Sequence, residues 1–330
     1  MRPRSRVLLA DSGIPALLVS DLTNIRYLSG LALSSGVVLV LPKMYLLFVD
    51  SRYSEAAAED AFDDVEVRDI GELAKIMKKI PVCFYEEDTL TVARLRRWKA
   101  QWKETAFKRS SGIVEHYRRS KDETELMQMR RAEKITHELL RRIPTVLKTG
   151  LTETALAWKI EQWARELGAE RMSFESIVGF GTHTSRPHHH PTSRKLGKNM
   201  IIQIDIGVVV QGYCSDRSAV YFTGPIPPDQ ERAYKAVFEA KEAAKEAVKA
   251  GVSTRTLDAI ARKVLAGYGM EEAFTHSLGH GVGMDIHEGV SLSVRSCDDK
   301  LLKGEVITIE PGVYFPGKFG IRLEDMVTVA

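Results

Sequence analysis

The segment IIQIDIGVVV (201–210) sets Asp205 inside an apolar run of strand composition. A carboxylate is almost never fully buried without a partner, and an unpaired one in a core is costly. Any fold that uses this strand must therefore bring a counter-charge to Asp205. The same demand recurs three times. Asp216 precedes the alternating stretch SAVYFTG, Glu310 ends EVITIE just before Pro-Gly, and Glu324 lies in IRLEDMVTV. Flanking apolar residues argue against a simple turn or capping role for Asp205 and Glu310. Asp216 and Glu324 each have an arginine at hand, Arg217 and Arg322, and alternation alone does not decide whether Glu324 or Asp325 faces inward.

The chain has 330 residues, enough for two domains with a sizeable core. Its net charge of +3 gives no sign of a nucleic-acid or membrane surface. The short basic clusters, RLRRWK and RRSK (118–121), read as solvated helix faces and a linker. No apolar run reaches the roughly eighteen residues of a membrane span, and MRPRSRVLLADSG lacks the pattern of a signal peptide. Cys83, Cys214 and Cys297 are odd in number and widely spaced, which suits a reducing cytoplasm better than a disulfide framework.

The first ~110 residues alternate strand-like and helix-like segments, the pattern of an α/β domain. ALLVS (16–20), GVVLVL (36–41), YLLFVD (45–50) and VCFYEE (82–87) read as strands; SEAAAEDAF and LTVARLRRWKAQWKETAF read as helices. Near residue 118 the character changes. A long helical pattern begins there, with Ser120 as its expected N-cap and acidic residues in its first turn. Within the second part, a shift of 101 positions superimposes RAEKITHEL on RAYKAVFEA and LKTGLTETAL on VKAGVSTRTL. Each copy reads as a long helix, a Gly stop, a Ser/Thr cap and a second helix. Two acidic residues on strand-like segments follow each copy. If the halves face each other, four carboxylates converge.

Four carboxylates cannot share a pocket as anions without cations. One further ligand is at hand, since THSLGHGVGMDIHEG places His280 in a glycine-flanked turn where backbone allows close approach. One imidazole with carboxylates suits Mn²⁺, Co²⁺, Fe²⁺ or Zn²⁺, and the excess of oxygen favours Mn²⁺. The expectation is a site for two divalent ions. The loop GFGTHTSRPHHHPTSRK carries three consecutive histidines between Pro187 and Pro191. Adjacent side chains do not point the same way, so one histidine at most is expected in a site. His287 is either a substrate or supporting group or a structural histidine.

Taken jointly and in order, PHHHP, IDIG, YCSD, GHGVG, IHEG, TIEPGVY and IRLED resemble the pita-bread metallopeptidases of the creatinase/prolidase type. The resemblance covers about 118–330. NIRYLSG (24–30) and VDSRYSEAA (49–57) resemble the N-terminal domain of the same type, which methionine aminopeptidases usually lack. It implies an α/β domain over 1–117 and, over 118–330, an α+β pita-bread catalytic domain with a pseudo-twofold duplication. The activity implied is that of an Xaa-Pro peptidase, a prolidase or an aminopeptidase P, acting on short proline-containing peptides in the cytoplasm as a homodimer. By motif, Asp205 would hold one metal, Asp216 and Glu324 would bridge both, and His280 and Glu310 would complete the second. His188 matches the family's catalytic histidine and His287 one that lines the substrate pocket. Tyr314 and Arg322 match positions that orient these groups, and Glu310 is the expected proton carrier. Two departures stand out. His189 follows His188 where small residues are more usual, so it competes for that role. The chain also ends six residues after Glu324, where relatives generally continue. Two alternatives remain: a metal-free pita-bread peptide-binding module, and an aminopeptidase of other specificity.

Overall fold

The computed structural model describes residues 13–330. The N-terminal segment weighed above as a signal peptide lies, but for Gly13, outside the described residues. The chain divides into two compact units between Arg118 and Arg119.

The first unit runs β1 (Leu17–Val19), α1 (Leu22–Ser29), β2 (Val37–Leu41), β3 (Met44–Val49), α2 (Ser54–Asp60), β4 (Val65–Asp69), α3 (Leu73–Met77), β5 (Val82–Glu86), α4 (Val92–Gln101), β6 (Ala106–Ser110) and α5 (Ile113–Arg119). Its strands form one mixed sheet in the order β4-β3-β2-β1-β5-β6. The inner strands are apolar and bury Leu18, Leu39 and Phe48 against Met77, Trp98 and Trp102. Asp21 caps α1 through the Asn24 N–H, and Gly30 closes it in the left-handed region at φ 84°. Glu86 is buried but satisfied: it accepts from the N–H groups of Ser20 (2.7 Å) and Asp21 (2.9 Å) and from Asn24 Nδ2 (2.7 Å).

Two expectations fail here. The segment 90–107 is not helical throughout. Its helix stops at Gln101, and Ala106–Ser110 becomes an edge strand parallel to β5. Trp98, Trp102 and Phe107 stack on one another across the break, with ring centroids 5.8–6.2 Å apart. That packing overrides the helical composition. The RRSK cluster is no free linker either. Arg119 pairs with Glu305 at 2.8 Å, and the buried Lys121 pairs with Glu288 at 2.8 Å.

The second unit opens with α6 (Glu123–Arg142). Its N-cap is Asp122, not Ser120, because Asp122 and Glu125 form a reciprocal capping box. The Ser120 hydroxyl donates instead to the Lys303 carbonyl at 2.6 Å. Then come α7 (Glu153–Glu166), β7 (Arg171–Met172), β8 (Ile177–Phe180), β9 (Ile201–Ile206), β10 (Val208–Val210), β11 (Tyr213–Cys214) and β12 (Arg217–Phe222). The second half adds α8 (Pro228–Glu246), α9 (Thr254–Gly267), β13 (Gly279–Gly281), β14 (Glu288–Leu292), β15 (Val306–Ile309), β16 (Gly312–Phe315), β17 (Phe319–Arg322) and β18 (Asp325–Thr328). Among the described residues, no helix is long and apolar enough to cross a membrane.

The shift of 101 positions survives in three dimensions. Gly150 and Gly251 both adopt positive φ (94° and 83°), as do Gly168 and Gly269 (93° and 69°). Thr152 and Ser253 both cap the following helix through their side chains. Each helical pair then covers an antiparallel sheet, β12-β9-β8 in the first half and β14-β13-β15-β18 in the second. Two apolar cores result, one around Leu139, Ile160, Phe180 and Ile204, the other around Val237, Leu257, Ile307 and Ile321.

His280 is carried by strand β13, with a bulge between His280 and Gly281, rather than by the glycine turn expected. The neighbouring Gly279 is required by close approach, because a methyl group there would collide with the Thr308 carbonyl oxygen on β15. Gly279→Ala is therefore expected to cost about 1–3 kcal/mol or more. At roughly 2–4 °C per kcal/mol for a domain of this size, thermal melting detects it, and an unchanged melting temperature would contradict the packing described.

Candidate metal centre and cleft

The sheets of the second unit bring the predicted acidic residues together. Asp205 lies on β9, opposite Ser218 of β12. Asp216 precedes β12, Glu310 follows β15, and Glu324 sits between β17 and β18. Ligand atoms of Asp216, His280 and Glu324 all lie within 4.8 Å of one another. His280 Nε2 is 3.5 Å from Asp216 Oδ2 and 3.5 Å from Glu310 Oε1. The His280 Nδ1–H faces the Gly281 carbonyl at 3.1 Å, so the Nε2 lone pair points at the carboxylates.

One cation reaches this group among the described residues. Arg322 Nη2 is 2.6 Å from Asp205 Oδ2, and its Nε is 3.9 Å from Glu310 Oε2. Its remaining donors go to Ser218 Oγ (2.9 Å), the Pro187 carbonyl (3.1 Å) and Tyr314 Oη (2.7 Å). One guanidinium cannot balance four carboxylates if all of them are ionised. Asp205 Oδ1, Asp216 Oδ1 and both oxygens of Glu324 are buried without a hydrogen bond. Bare oxygens and an imidazole lone pair, all acceptors aimed at one point, fit divalent cations and no protein donor present.

Asp325 is different. It turns to the opposite side and pairs with Lys241 at 2.6 Å, with Arg217 at 2.6 Å and with Lys245. The backbone thus settles which of the two acids faces the centre. It also removes the pairings considered for Asp216 and Glu324, since Arg217 serves Asp325 and Arg322 serves Asp205.

Beside the centre opens a cleft of about 640 Å³ that takes in Pro187, His188, His276, Ile286, His287 and Arg322 among its walls. Not one but three of the consecutive histidines border it, because the loop turns and fans them along the wall. They differ in their commitments. His189 is buried, with Nε2 2.9 Å from Glu153 Oε2, and His190 pairs at the exposed rim with Glu175. His188 makes no side-chain hydrogen bond within the described residues. The His287 ring lies edge-on to His280, with centroids 4.2 Å apart.

Residues 127–330 match the profile of Metallopeptidase family M24, and residues 2–120 match the Creatinase/Prolidase N-terminal domain. The chain belongs to metallopeptidase family M24. An uncharacterized peptidase of Bacillus subtilis is 30% identical over 98% of this chain and 93% of its own length. One of Methanocaldococcus jannaschii is 33% identical over 97% and 90%. Among solved structures, the Xaa-Pro dipeptidase of Bacillus anthracis matches with a TM-score of 0.94 at 31% identity, covering 99% of this chain and 93% of that one. The X-Pro aminopeptidase of Thermotoga maritima gives 0.91 at 32% identity, over 99% and 95%. The architecture is therefore that of the pita-bread M24 peptidases, an α/β N-terminal domain followed by a duplicated α+β catalytic domain.

Two residues of this M24 chain escaped the sequence reading. Gln203 accepts the Arg322 N–H at 2.8 Å and donates to the Arg322 carbonyl at 3.1 Å, which ties β9 to β17. The signal was available: a glutamine two residues before Asp205 shares its face of the strand. His276 donates from Nδ1 to the Ser277 carbonyl (2.8 Å) and receives the Tyr314 hydroxyl at Nε2 (3.0 Å). Burial, with Arg322 nearby, pushes it down to about 4, so it stays neutral. Burial and then His280 and His188 also lower His287.

Without cations the acids resist ionising. Burial, then repulsion from Asp205 and Glu310, pushes Asp216 well above the usual carboxylate range. Burial with Asp216, Glu310 and Asp205 does the same to Glu324, and burial raises Glu310 despite His280 and Arg322. An acid with a raised folded-state value binds more protons folded than unfolded, so its contribution to stability falls as pH rises. In chelator, stability should therefore decline, relative to cation-loaded protein, as pH rises through the range above an ordinary carboxylate. Melting curves with EDTA and with Mn²⁺ across that range test it, and parallel pH profiles would refute the charge accounting.

Proposed function

We propose that this M24 peptidase uses two divalent cations to hydrolyse the bond preceding proline in Xaa-Pro dipeptides or in peptides beginning Xaa-Pro. The observation that carries the reading is the set of bare, buried oxygens of Asp205, Asp216 and Glu324 around the His280 lone pair. Support for the substrate class comes from the solved relatives described as an Xaa-Pro dipeptidase and an X-Pro aminopeptidase.

Asp205 would hold one ion, Asp216 and Glu324 would share both, and His280 and Glu310 would complete the second. Bound there, the ions would acidify a water and polarise the scissile carbonyl. The chain's own groups do the rest. Glu310, which reaches the centre from the end of β15, would carry the water's proton to the prolyl nitrogen. A bond before proline has no N–H, so nothing in this chemistry depends on that missing donor. His188, free of other hydrogen bonds, would donate to the carbonyl oxygen as it gains charge. Tyr314 and Arg322 form one linked set with His276 and Asp205 that holds the cleft wall in place. His287 would contact substrate at the cleft. Manganese as the native ion, a homodimer and a cytoplasmic location belong to the same proposal.

The test is a metal-dependent assay on Ala-Pro, Ala-Pro-Ala and Met-Ala-Ser. Cleavage of the first alone indicates a prolidase, of the second an aminopeptidase P. Cleavage of the third alone would refute proline specificity. No cleavage and no bound metal would point to a peptide-binding module.

Two substitutions probe the roles. His188→Ala should keep both metals and lose about 10²–10³ in kcat. Asp216→Ala should lose metal and nearly all turnover, read by metal analysis of the purified protein. Normal turnover in the first, or full occupancy in the second, would overturn the assignment.

A further inference from the structure

A second cluster lies behind the cleft, and the chemistry above does not use it. Glu153, the first residue of α7, is fully buried, with no exposed surface. Its Oε1 accepts from the Phe180 N–H (2.8 Å) and faces His183 Nδ1 (2.8 Å). Its Oε2 faces His189 Nε2 (2.9 Å) and accepts from the Thr192 N–H (3.0 Å) and hydroxyl (2.6 Å). All these partners lie on one segment, 180–192, which also contains His188.

We propose that Glu153 is a positioning residue, one that fixes the 180–192 loop and so holds His188 at the cleft. The proposal rests on the peptidase reading above for its catalytic consequence, though not for the anchoring itself.

His188 is bracketed. On one side, the Pro187 carbonyl is held by Arg322 Nη1 at 3.1 Å. On the other, the His189 ring is held by Glu153. With its neighbours fixed on both sides, His188 has little backbone freedom although its own ring is unattached. The duplicated half provides a comparison. The shift that carries Gly150 to Gly251 carries Glu153 to Thr254, which is also fully buried at the start of its helix. Thr254 Oγ1 accepts the Asp299 N–H at 3.2 Å. The fold therefore accepts a short hydroxyl at this position. The carboxylate stands in the half whose loop carries His188, His189 and His190.

Glu153, His183 and His189 also have the spacing of a metal site, with ligand atoms within 4.8 Å. Hydrogen-bond accounting argues against one. A carboxylate offers about four lone-pair positions, and Glu153 already meets five donors. This contrasts with the bare oxygens of Asp216 and Glu324. Burial alone would disfavour the charge on Glu153, but the bonds from His189, Thr192, Phe180 and His183 hold its carboxyl below the usual range. It is an anion saturated by its own loop.

The experiment compares full-length wild type, Glu153→Gln, His188→Ala and the double variant. Glutamine keeps the shape but turns an amide NH₂ towards N–H donors. Glu153→Gln should retain bound metal and lower kcat on an Xaa-Pro peptide by about 10²-fold, the scale of a misplaced group, with KM changed much less. Combined with His188→Ala it should add under about twofold, because the two act through one group. A full additional loss in the double variant, or wild-type kcat in the single one, overturns the catalytic part. Hydrogen exchange is read in parallel and does not depend on turnover: amides of 181–192 should exchange faster in Glu153→Gln, and unchanged exchange overturns the anchoring. A wild type that cleaves no Xaa-Pro peptide would sink the peptidase reading, and the catalytic role with it, while exchange still decides the anchor. Should Glu153→Gln not fold, Thr192→Val removes a single bond to the carboxylate and faces the same comparisons with a smaller loss.

Discussion

The constraint on which the second unit depends is an excess of buried negative charge. Asp205, Asp216, Glu310 and Glu324 meet at one point, and among the described residues one guanidinium reaches them. An assembly of this kind is unfavourable as bare anions in a low-dielectric interior. The surrounding sheets nevertheless hold it, because each acid is fixed by backbone that has its own reasons to be there. β9 and β12 pair over six residues, and β15 pairs with β18. The strands are stabilised by their apolar cores, and the charge is carried as a standing cost that a pair of cations would remove. The apolar cores thus hold in place a site that divalent cations fit.

The duplication explains how one point gathers candidate ligands from both halves. Helices, caps and glycine stops keep the 101-residue offset, but the acids do not: the same shift takes Asp205 to Val306 and Asp216 to Gly317. The scaffold repeats while the chemistry is distributed. The first half supplies Asp205 and Asp216, the second His280, Glu310 and Glu324. Gln203 and Arg322 then join the halves, the amide gripping the Arg322 backbone while the guanidinium reaches Asp205 and the Pro187 carbonyl.

What could be seen in the sequence follows from burial. The inner strands β1, β2 and β3 are apolar throughout and were readable. VEVRD (β4) carries no apolar strand pattern, and AFKRS (β6) begins inside a stretch of helical composition, because both are sheet edges rich in charge, as edge strands commonly are. Asp205 and Glu310 stood out through their apolar flanks. Glu324 is not separable from Asp325 in the sequence, since two adjacent acids at a strand start are distinguished only by which one meets the lysine pair from α8. Glu153 was invisible for another reason. At a helix start an acid has an ordinary explanation in the helix dipole, and its partners lie 27 to 39 residues away.

Saturation is what distinguishes the two kinds of buried acid. Glu86 and Glu153 accept hydrogen bonds at both oxygens, and Asp325 is met by the cations Lys241, Lys245 and Arg217, so their charge is spent on holding chain segments in place. Asp216 and Glu324 face each other and an imidazole acceptor, so theirs is left over for something that is not protein. The same accounting orders the histidines. His189 and His183 are committed to Glu153, His190 to Glu175, and His276 to Tyr314. His188 has no side-chain hydrogen bond among the described residues, while its neighbours His189 and Pro187 are held. In a cleft of this kind, a polar group whose neighbours are held while its own valences stay open fits the role proposed for His188.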